Sequence, residues 1–369
     1  MKKRLFTNSK HLKMDIKKFL NSDETIFRDS VALDYDYIPK IIPYREAEQK
    51  EIIFAIKPLL QKRNGKNIFI YGKPGIGKTL ICKSVLNELE ETTDEIFTFY
   101  INCWKKNSTY KVAMQLAEEL NIPFVQTKKT DEVLELIKKE INKKSAVFVF
   151  DEADKIEDYS FLYFTLEEIY RKSVIIISNN REWIINLDSR IRSRLLPQVI
   201  EFKPYNKSEV EGILKERIKY AFHDGVLTDE AFRVIVEKTF ESEDIRVGLF
   251  LLREAGNNAE LRSSNKIEKE DAVKAIKQLN TFSIKSKSDL DEETKKILKI
   301  CRENSGKKIG ELYKIYTASG GTTVYKTFQR KIAKLEKAGF LKLKKLVGGP
   351  EGTTTIINYA YKDLNSFVE

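Results

Sequence analysis

Short apolar runs alternate with amphipathic stretches along the first half of the chain, and this alternation constrains the fold more than any other feature. Helical periodicity fills the segments between the runs, as in GKTLICKSVLNELEE and YKVAMQLAEEL. Strands that are apolar throughout and alternate with helices predict a parallel sheet covered on both faces. We therefore expect a three-layer α/β domain over residues 20–204. The five predicted strands are 67–71, 96–102, 146–150, 173–178 and 198–202.

After residue 204 the strand pattern stops and helical periodicity continues alone. Stretches near 207–222, 228–240, 244–263 and 268–279 predict a small helical domain over 205–280. Residues 281–290 are polar and rich in Ser and Lys, a composition that predicts a linker. From residue 291 three short helices precede two strands around a glycine-bearing turn, which predicts a winged-helix domain over 291–369. Residues 1–19 are basic without a continuous apolar core and are expected to form a flexible arm.

The composition excludes several classes of function. No run of eighteen apolar residues occurs, so no membrane span or membrane partner is expected. Cys82, Cys103 and Cys301 lack metal-ligand spacing, and their odd number fits a reducing cytosol. With only two histidines, His11 and His223, neither a zinc site nor a Ser-His-Asp triad is expected. The net charge of +11 is compatible with a polyanionic partner, although a surplus of lysine also suits an ordinary solvated surface.

The segment IYGKPGIGKT follows the first predicted strand, opens a helix and matches the pattern G-x4-G-K-[ST]. Its glycines allow backbone N–H groups to close around phosphates, and the helix directs its positive end at the anion. Lys78 would reach the β- and γ-phosphates of ATP, and Thr79 would ligate Mg²⁺. The predicted nucleotide-binding residues of this loop are Gly72, Lys73, Pro74, Gly75, Ile76, Gly77, Lys78, Thr79 and Leu80.

Polar residues that follow two further apolar strands complete the predicted chemistry. In AVFVFDEAD, Asp151 is the expected Mg²⁺ carboxylate and Glu152 the base that polarises an attacking water. Asn179 ends the next strand and would hold that water, because adjacent strand tips converge near the ligand. Acidic residues at a strand end can also serve as helix caps, and we expect Asp154 to be one. The alternative for Asn179 is an Asx-turn.

The ordered set of phosphate loop, DEAD, Asn179, LDSRIRSRLL and EDIRVGLFLLREAG resembles AAA+ ATPases. More narrowly, the chain resembles the archaeal origin-recognition and helicase-loader family, which is related to subunits of the eukaryotic origin-recognition complex. The resemblance runs from IPKIIPYREAEQKEI to the end of the chain. Within it, YREAEQ resembles the segment beside the adenine pocket, and FKPYNKSEVEGILKERI resembles the opening of the helical lid.

The resemblance implies further site residues. Arg194 matches the arginine finger that reaches a neighbouring subunit's nucleotide, although Arg190 and Arg192 compete for this role. Arg246 matches the second sensor, an arginine from the lid that contacts the nucleotide in cis. Pro43, Tyr205 and Arg217 are likewise assigned to the nucleotide pocket.

The chain departs from the family pattern at three places. Asn179 is followed by Asn180 where the family commonly has Asp, and Glu243 precedes Asp244 where the family commonly has glycine. Residues 102–129 occupy the place of the family's extra DNA-contacting helix but form a short segment.

The C-terminal region carries most of the excess charge. Residues 281–369 hold 18 basic and 10 acidic residues, so eight of the eleven excess positive charges lie there. In TTVYKTFQRKIAKLEKAGF, an apolar stripe of Val324, Phe328, Ile332 and Leu335 opposes Lys326, Arg330, Lys334 and Lys337. That pattern suits a recognition helix in the major groove, and the alternative is a solvated lysine face. The predicted DNA-binding residues are Thr323, Lys326, Arg330, Lys331 and Lys334, together with Gly348, Gly349 and Thr353 of the turn.

These observations and the resemblance together predict an ATP-regulated replication initiator that recognises origin DNA and helps recruit or load the replicative helicase. Slow hydrolysis of ATP to ADP, with Mg²⁺, would act as the switch. The expected partners are double-stranded DNA, the helicase and other copies or paralogues on DNA, at the nucleoid in the cytoplasm. The alternative is an AAA+ regulatory or partner-loading ATPase of transposition, clamp loading or defence, whose winged helix serves in packing or nonspecific DNA contact.

Overall fold

The computed structural model describes residues 25–288, 291–337, 340–346 and 354–359. The chain divides into two compact units, the first ending at Ile276 and the second beginning at Lys277. The predicted N-terminal arm and the turn that carries Gly348, Gly349 and Thr353 lie outside the described residues. Within the described part, no helix is long and apolar enough to span a membrane.

A parallel sheet of five strands organises the first unit, with the order β2-β3-β4-β1-β5. All seven residues of β3 are buried, as the apolar run AVFVF requires for a strand covered on both faces. The predicted three-layer α/β domain is therefore confirmed, and the tips of β1, β3 and β4 lie side by side at one edge. The strands are β1 (Ile68–Gly72), β2 (Ile96–Asn102), β3 (Ser145–Asp151), β4 (Lys172–Ser178) and β5 (Gln198–Phe202).

Six helices cover the two faces of this sheet. The side chains that they bury recur at helical spacing, as Val133, Ile137 and Ile141 do on α4. Stacked aromatic rings of Phe99 and Phe148 fill the core on one face, with centroids 5.1 Å apart. The helices are α1 (Glu46–Leu60), α2 (Lys78–Thr92), α3 (Thr109–Glu119), α4 (Thr130–Ile141), α5 (Ser160–Glu168) and α6 (Ser189–Leu195). Short 3₁₀ helices lie at Ser30–Leu33, Ala153–Lys155 and Arg181–Asn186.

A helical lid follows the sheet, formed by α7 (Lys207–Ala221), α8 (Asp229–Ser242), α9 (Ile245–Leu261) and α10 (Lys269–Ser288). Asn206 and Glu209 form a reciprocal capping box that begins α7. Helix α10 continues to Ser288, so the segment predicted as a linker at 281–290 is helical as far as it is described. Residues 277–288 contain neither glycine nor proline, the two residue types that most strongly disfavour a helix. Nothing in this part of the sequence therefore ends the helix.

The second unit contains α11 (Glu292–Glu303), β6 (Lys307–Lys308), α12 (Ile309–Ala318), α13 (Tyr325–Lys337), β7 (Leu341–Leu346) and β8 (Thr354–Tyr359). The strands pair antiparallel in the order β6-β8-β7. Three helices followed by a β-hairpin are what the winged-helix prediction requires, but the short strand β6 was not foreseen. Phe328, Ile332 and Leu335 are buried as predicted. Val324 was wrongly placed on the same stripe: it precedes α13 and is 66% exposed.

Candidate functional site

The phosphate loop connects β1 to α2 and adopts conformations that favour glycine. Gly75 has φ 72° and Gly77 has φ 92°, both in the left-handed region. A Cβ on Gly75 would stand 1.9 Å from Asp244 Oδ1 of the lid, and one on Gly77 would stand 2.9 Å from the Tyr205 hydroxyl. The glycine spacing of the motif is therefore required both by the turn itself and by the close approach of the lid.

Lys78 lies at the start of α2 with only 6% of its surface exposed. Its ammonium group donates hydrogen bonds to the carbonyls of Gly72 (2.8 Å) and Lys73 (2.7 Å) and to Asn179 Oδ1 (2.9 Å). Burial lowers the pKa of Lys78 to about 8, although the charge of Asp151 acts in the opposite direction. A poorly solvated ammonium group at the mouth of a glycine loop is a strong hydrogen-bond donor to phosphate oxygens.

Asp151 ends β3 almost completely buried and is held by three donors. Its Oδ2 accepts from the Thr79 hydroxyl (2.6 Å) and from the Tyr100 hydroxyl (2.7 Å), and its Oδ1 accepts from the Glu152 backbone amide (2.8 Å). A threonine hydroxyl beside a carboxylate is a donor set that suits Mg²⁺. No group of three or more His, Cys, Asp or Glu side chains that could hold a metal ion occurs in the described residues.

Glu152 stands beside Asp151 with a left-handed backbone, φ 57° and ψ 40°. Burial raises the pKa of Glu152, and the neighbouring Asp151 and Asp154 carboxylates raise it further. A raised pKa makes a carboxylate a better proton acceptor from water near neutral pH. Glu152, Asp151 and Asn179 line one cleft, as the prediction of a catalytic edge requires.

The prediction that Asp154 caps a helix at this edge is wrong. Asp154 does not cap a helix: it lies within a 3₁₀ turn, accepts from the Ser178 hydroxyl (3.3 Å) and pairs with Lys155 (3.0 Å). The 3₁₀ helix that contains Asp154 has no side-chain cap, whereas the next 3₁₀ helix, Arg181–Asn186, is capped by Asn180, whose side chain accepts from the Glu182 amide (2.9 Å). Asn179 therefore remains available to Lys78 and the cleft, and the alternative of an Asx-turn belongs to its neighbour.

The cleft has a volume of about 270 Å³ and lies between the phosphate loop, the lid and an N-terminal strap, residues 35–43. The strap and the lid supply the apolar part of the cleft wall, which includes Pro43 as predicted. Tyr205 and Arg246 contribute polar groups to the same wall. Such a mixture of apolar walls and a few directed polar groups is typical of a nucleotide pocket. Of the predicted loop residues, Pro74, Gly75, Gly77, Lys78, Thr79 and Leu80 line the cleft, and Gly72, Lys73 and Ile76 do not.

Arg217 lines the cleft but does not direct its guanidinium into it. The side chain is buried, donates to the carbonyls of Ala32 (3.0 Å) and Tyr37 (3.2 Å), and stacks 5.1 Å from the Tyr37 ring centroid. Burial lowers the pKa of Arg217. Arg217 therefore holds the strap, through Tyr37, and the preceding 3₁₀ helix, through Ala32, against the lid, and its contact with a nucleotide stays a prediction.

Arg45, which sequence reasoning did not single out, braces the phosphate loop from behind. It is 5% exposed, pairs with Glu48 (2.7 Å), donates to the carbonyls of Ile76 (3.4 Å) and Lys203 (2.5 Å), and stacks 4.1 Å from the centroid of Tyr205. The available signal was its place in YREAEQ, which the resemblance assigned to the adenine pocket. The geometry shows instead that this arginine ties the loop to the chain leaving β5.

The lid reaches the phosphate loop through the start of α9. The Ile245 amide donates to the Gly75 carbonyl (3.1 Å), and Lys73 forms an ion pair with Glu243. Arg246 is held by Asp244, with Nε 3.0 Å from Oδ1 and Nη2 2.6 Å from Oδ2. This hydrogen-bonded pair raises the pKa of Arg246 and fixes a cation at the wall of the cleft.

The three arginines of α6 point away from this cleft. Arg190 pairs with Asp188 (3.1 Å), Arg192 donates to the Ile185 carbonyl (2.9 Å), and Arg194 pairs with Glu167. All three are exposed, and none lines the cleft of its own chain. Any contact of theirs with a γ-phosphate would have to be made on another molecule, and the choice among them stays a prediction.

In the second unit, α13 presents a cationic side. Lys326, Arg330 and Lys334 are exposed, and none of them forms an ion pair in the part of the chain that the structure describes. Lys331 differs from them, because its ammonium group binds Asp291 (2.7 Å) and Thr294 (2.9 Å) of the α11 N-terminus. Thr323 precedes the helix, and its amide donates to the Tyr316 hydroxyl (3.1 Å). Lys331 therefore anchors α13, whereas the other three cations face solvent.

The strand order and the convergence of loop, carboxylates and lid arginine on a single cleft are those of an AAA+ ATPase. Family models match the chain in two places: an AAA domain over residues 61–179 and a Cdc6 AAA+ ATPase-type lid domain over 211–277. The chain belongs to the family of ORC1-type DNA replication proteins, because two relatives of that name are at least 30% identical to it in sequence over nearly its whole length.

Two such relatives and one solved structure illustrate the match. ORC1-type DNA replication protein 2 of Methanothermobacter thermautotrophicus is 30% identical, over 89% of this chain and 90% of its own. ORC1-type DNA replication protein 1 of Archaeoglobus fulgidus is 33% identical, over 87% of this chain and 84% of its own. The Aeropyrum pernix ORC1 protein, solved in complex with DNA, superposes with a TM-score of 0.67 at 25% identity, covering 92% of this chain and 95% of that one.

Proposed function

We propose that this protein is a nucleotide-switched initiator of DNA replication, which binds origin DNA through its second unit and hydrolyses ATP slowly. One observation carries the nucleotide part: Lys78, Glu152 and Arg246 line the same cleft although they belong to a loop, a strand end and the lid. A nucleotide in that cleft would contact the sheet and the lid together. Its γ-phosphate would therefore influence how the lid is held.

Each residue has a chemical task in this proposal. Lys78 binds the β- and γ-phosphates and Arg246 adds a second cation from the lid. Glu152 takes a proton from the attacking water, which Asn179 orients. Thr79 and Asp151 would hold Mg²⁺, which when bound neutralises charge on the phosphates. An arginine of α6, for which Arg194 is the first choice, would complete the site of a neighbouring copy or paralogue on DNA.

The DNA part of the proposal rests on α13. Lys326, Arg330 and Lys334 share a solvent-facing side, while the buried side packs on the core of the second unit. Thr323 is proposed at the start of the same surface, and Gly348, Gly349 and Thr353 remain proposed contacts of the turn. The Aeropyrum pernix ORC1 protein, solved in complex with DNA, supports DNA as a partner of this chain. Recruitment of a replicative helicase and association with the nucleoid extend the same proposal.

The test is binding to duplex fragments tiled across the source genome, at one fixed salt concentration, with and without ATP. The variant Lys326→Ala/Arg330→Ala removes two charges from the exposed side of α13. The control Lys299→Ala/Lys314→Ala removes two exposed charges from other helices of the same unit. Tight binding to a few fragments, lost in the first variant and kept in the control, is the expected result.

Weak and uniform binding that both variants change equally would contradict an origin-specific reader. The protein would then be better described as a partner-loading ATPase, whose second unit packs or contacts DNA without specificity. Tight binding that does not respond to ATP would contradict the nucleotide switch but keep the DNA-binding role.

A further inference from the structure

We infer that Tyr100 is a positioning residue for the magnesium-binding carboxylate of Asp151, an inference that rests on the proposed ATPase function. Tyr100 lies in none of the sequence motifs that define the nucleotide site. It belongs to β2, outside the phosphate loop and outside the strand that carries the acidic pair.

The sheet register places Tyr100 beside Asp151. Tyr100 pairs with Val149 across the β2–β3 ladder, and Asp151 lies two residues further along β3 on the same face. The Tyr100 hydroxyl donates to Asp151 Oδ2 over 2.7 Å. Asp151 Oδ2 also accepts a hydrogen bond of 2.6 Å from the hydroxyl of Thr79, the other proposed magnesium ligand. Tyr100 and Thr79 therefore bind the same carboxylate oxygen.

Three donors therefore fix the orientation of one carboxylate. With the Glu152 amide on Oδ1 and two hydroxyls on Oδ2, rotation of the Asp151 side chain would break at least one hydrogen bond. Mg²⁺ demands near-ideal octahedral geometry, so the direction of each ligand oxygen affects its binding more than it would for a larger ion. Outer partners of metal ligands act in this way in other metal sites.

The surroundings of Tyr100 suit a fixed donor. Lys83 places its ammonium group 4.7 Å from the ring centroid, and the Tyr100 carbonyl accepts from Gln115 (2.9 Å). A tyrosine phenol ordinarily has a pKa of about 10, so it carries its proton at neutral pH and can donate a hydrogen bond. The hydroxyl is thus a permanent donor to Asp151.

A tyrosine that only fills space and satisfies a buried carboxylate would behave differently. Its hydroxyl would contribute to stability and to ATP binding equally with and without magnesium. A positioning tyrosine changes the magnesium dependence selectively, because its effect passes through the direction of Asp151. The two roles therefore separate in an experiment that varies the metal alone.

The experiment uses the full chain and the variant Tyr100→Phe, which keeps the ring and removes the hydroxyl. ATP binding is measured by calorimetry in EDTA and then as a function of Mg²⁺ concentration. We expect unchanged affinity in EDTA and a magnesium midpoint raised about tenfold. The matched control is Tyr71→Phe on β1, because the Tyr71 hydroxyl makes no hydrogen bond in the described part of the chain.

Each other outcome overturns the inference. A wild-type magnesium midpoint in Tyr100→Phe, or an equal loss of ATP affinity with and without Mg²⁺, would show a packing role. Failure of Tyr100→Phe to fold would do so as well, since the hydroxyl would then serve stability. If the wild-type protein itself binds no ATP, the proposed function fails, which is a result distinct from failure of the variant alone.

Discussion

The backbone amide of Ile245, at the start of lid helix α9, donates a hydrogen bond of 3.1 Å to the carbonyl of Gly75 in the phosphate loop. Two residues earlier, Glu243 pairs with Lys73 of the same loop, and Asp244 lies where a side chain on Gly75 would clash. The lid therefore contacts the loop through backbone as well as side chains. A change in the phosphates held by the loop would be transmitted directly to α9.

The ion pair between Lys73 and Glu243 is expected to contribute little to stability. Its side chains are 56% and 43% exposed, so solvent screening limits the pair to about 0.5 kcal/mol. The charge-reversed double variant Lys73→Glu/Glu243→Lys should restore the wild-type melting temperature that each single reversal lowers. A double-mutant cycle of thermal unfolding measures this coupling. A coupling energy near zero would leave the Ile245–Gly75 hydrogen bond as the main link between lid and loop.

Replacement of Glu152 should separate binding from hydrolysis. Glu152→Gln keeps the size of the side chain but removes the proton acceptor, so we expect hydrolysis to fall by about a hundredfold or more. ATP affinity should stay close to that of the wild type, because the binding groups Lys78 and Arg246 are intact. Steady-state phosphate release and calorimetric ATP binding check the two halves. Turnover at the wild-type rate would exclude Glu152 as the base.

Arg217 should act on ATP binding through the strap. Arg217→Ala removes two hydrogen bonds, one to the carbonyl of Ala32 just before the strap and one to the carbonyl of Tyr37 within it, and we expect a loss of about 2 kcal/mol in the stability of the first unit. Faster proteolysis at residues 35–43 and weaker ATP binding should accompany that loss. Melting temperature and limited proteolysis, both without nucleotide, are the measurements. Weaker ATP binding with unchanged stability would instead indicate that Arg217 contacts the nucleotide itself.

Lys331 and Lys326 should behave differently although both were predicted DNA contacts. Lys331→Ala breaks the pair with Asp291 and should lower the melting temperature of the second unit without changing the salt dependence of DNA binding. Lys326→Ala should leave stability unchanged and reduce the slope of log affinity against log salt by about one. Fluorescence anisotropy on one duplex at several salt concentrations measures both slopes. Equal slopes for the two variants would contradict this division of roles.

The turn before α13 should weaken in acid. Glu293 accepts from the Tyr316 and Thr322 hydroxyls, and the Tyr316 bond is the main cause that lowers the pKa of Glu293 to about 2. A carboxyl group whose pKa is lower in the folded state than in the unfolded chain stabilises the fold at pH values above its pKa in the unfolded chain. That contribution is lost as pH falls toward about 2. Thermal unfolding of the full chain across acid pH should show this loss in the second unit, and Glu293→Gln should remove the part due to this residue. An identical pH profile in that variant would contradict the assignment.

The sequence alone was sufficient for the features that depend on local pattern. Apolar runs such as AVFVF predicted buried parallel strands, and G-x4-G-K-T predicted the phosphate loop, because both signals lie within a few consecutive residues. Composition was a poorer predictor of secondary structure for residue types that neither favour nor stop a helix strongly. The Ser- and Lys-rich segment after residue 280 continues a helix, since neither residue type stops one.

Contacts between distant residues were decided only by the tertiary structure. Tyr100 and Asp151 are 51 residues apart, and Arg217 and Ala32 are 185 apart, so no spacing in the chain reveals that they meet. Arg217 and Lys331 were both predicted to contact a ligand, but in the fold two backbone carbonyls bind Arg217 and the Asp291 carboxylate binds Lys331. The sequence by itself determined the fold class, the phosphate loop and the acidic pair. The tertiary structure decided which cations remain available to a ligand, because that depends on partners brought in by other strands and helices.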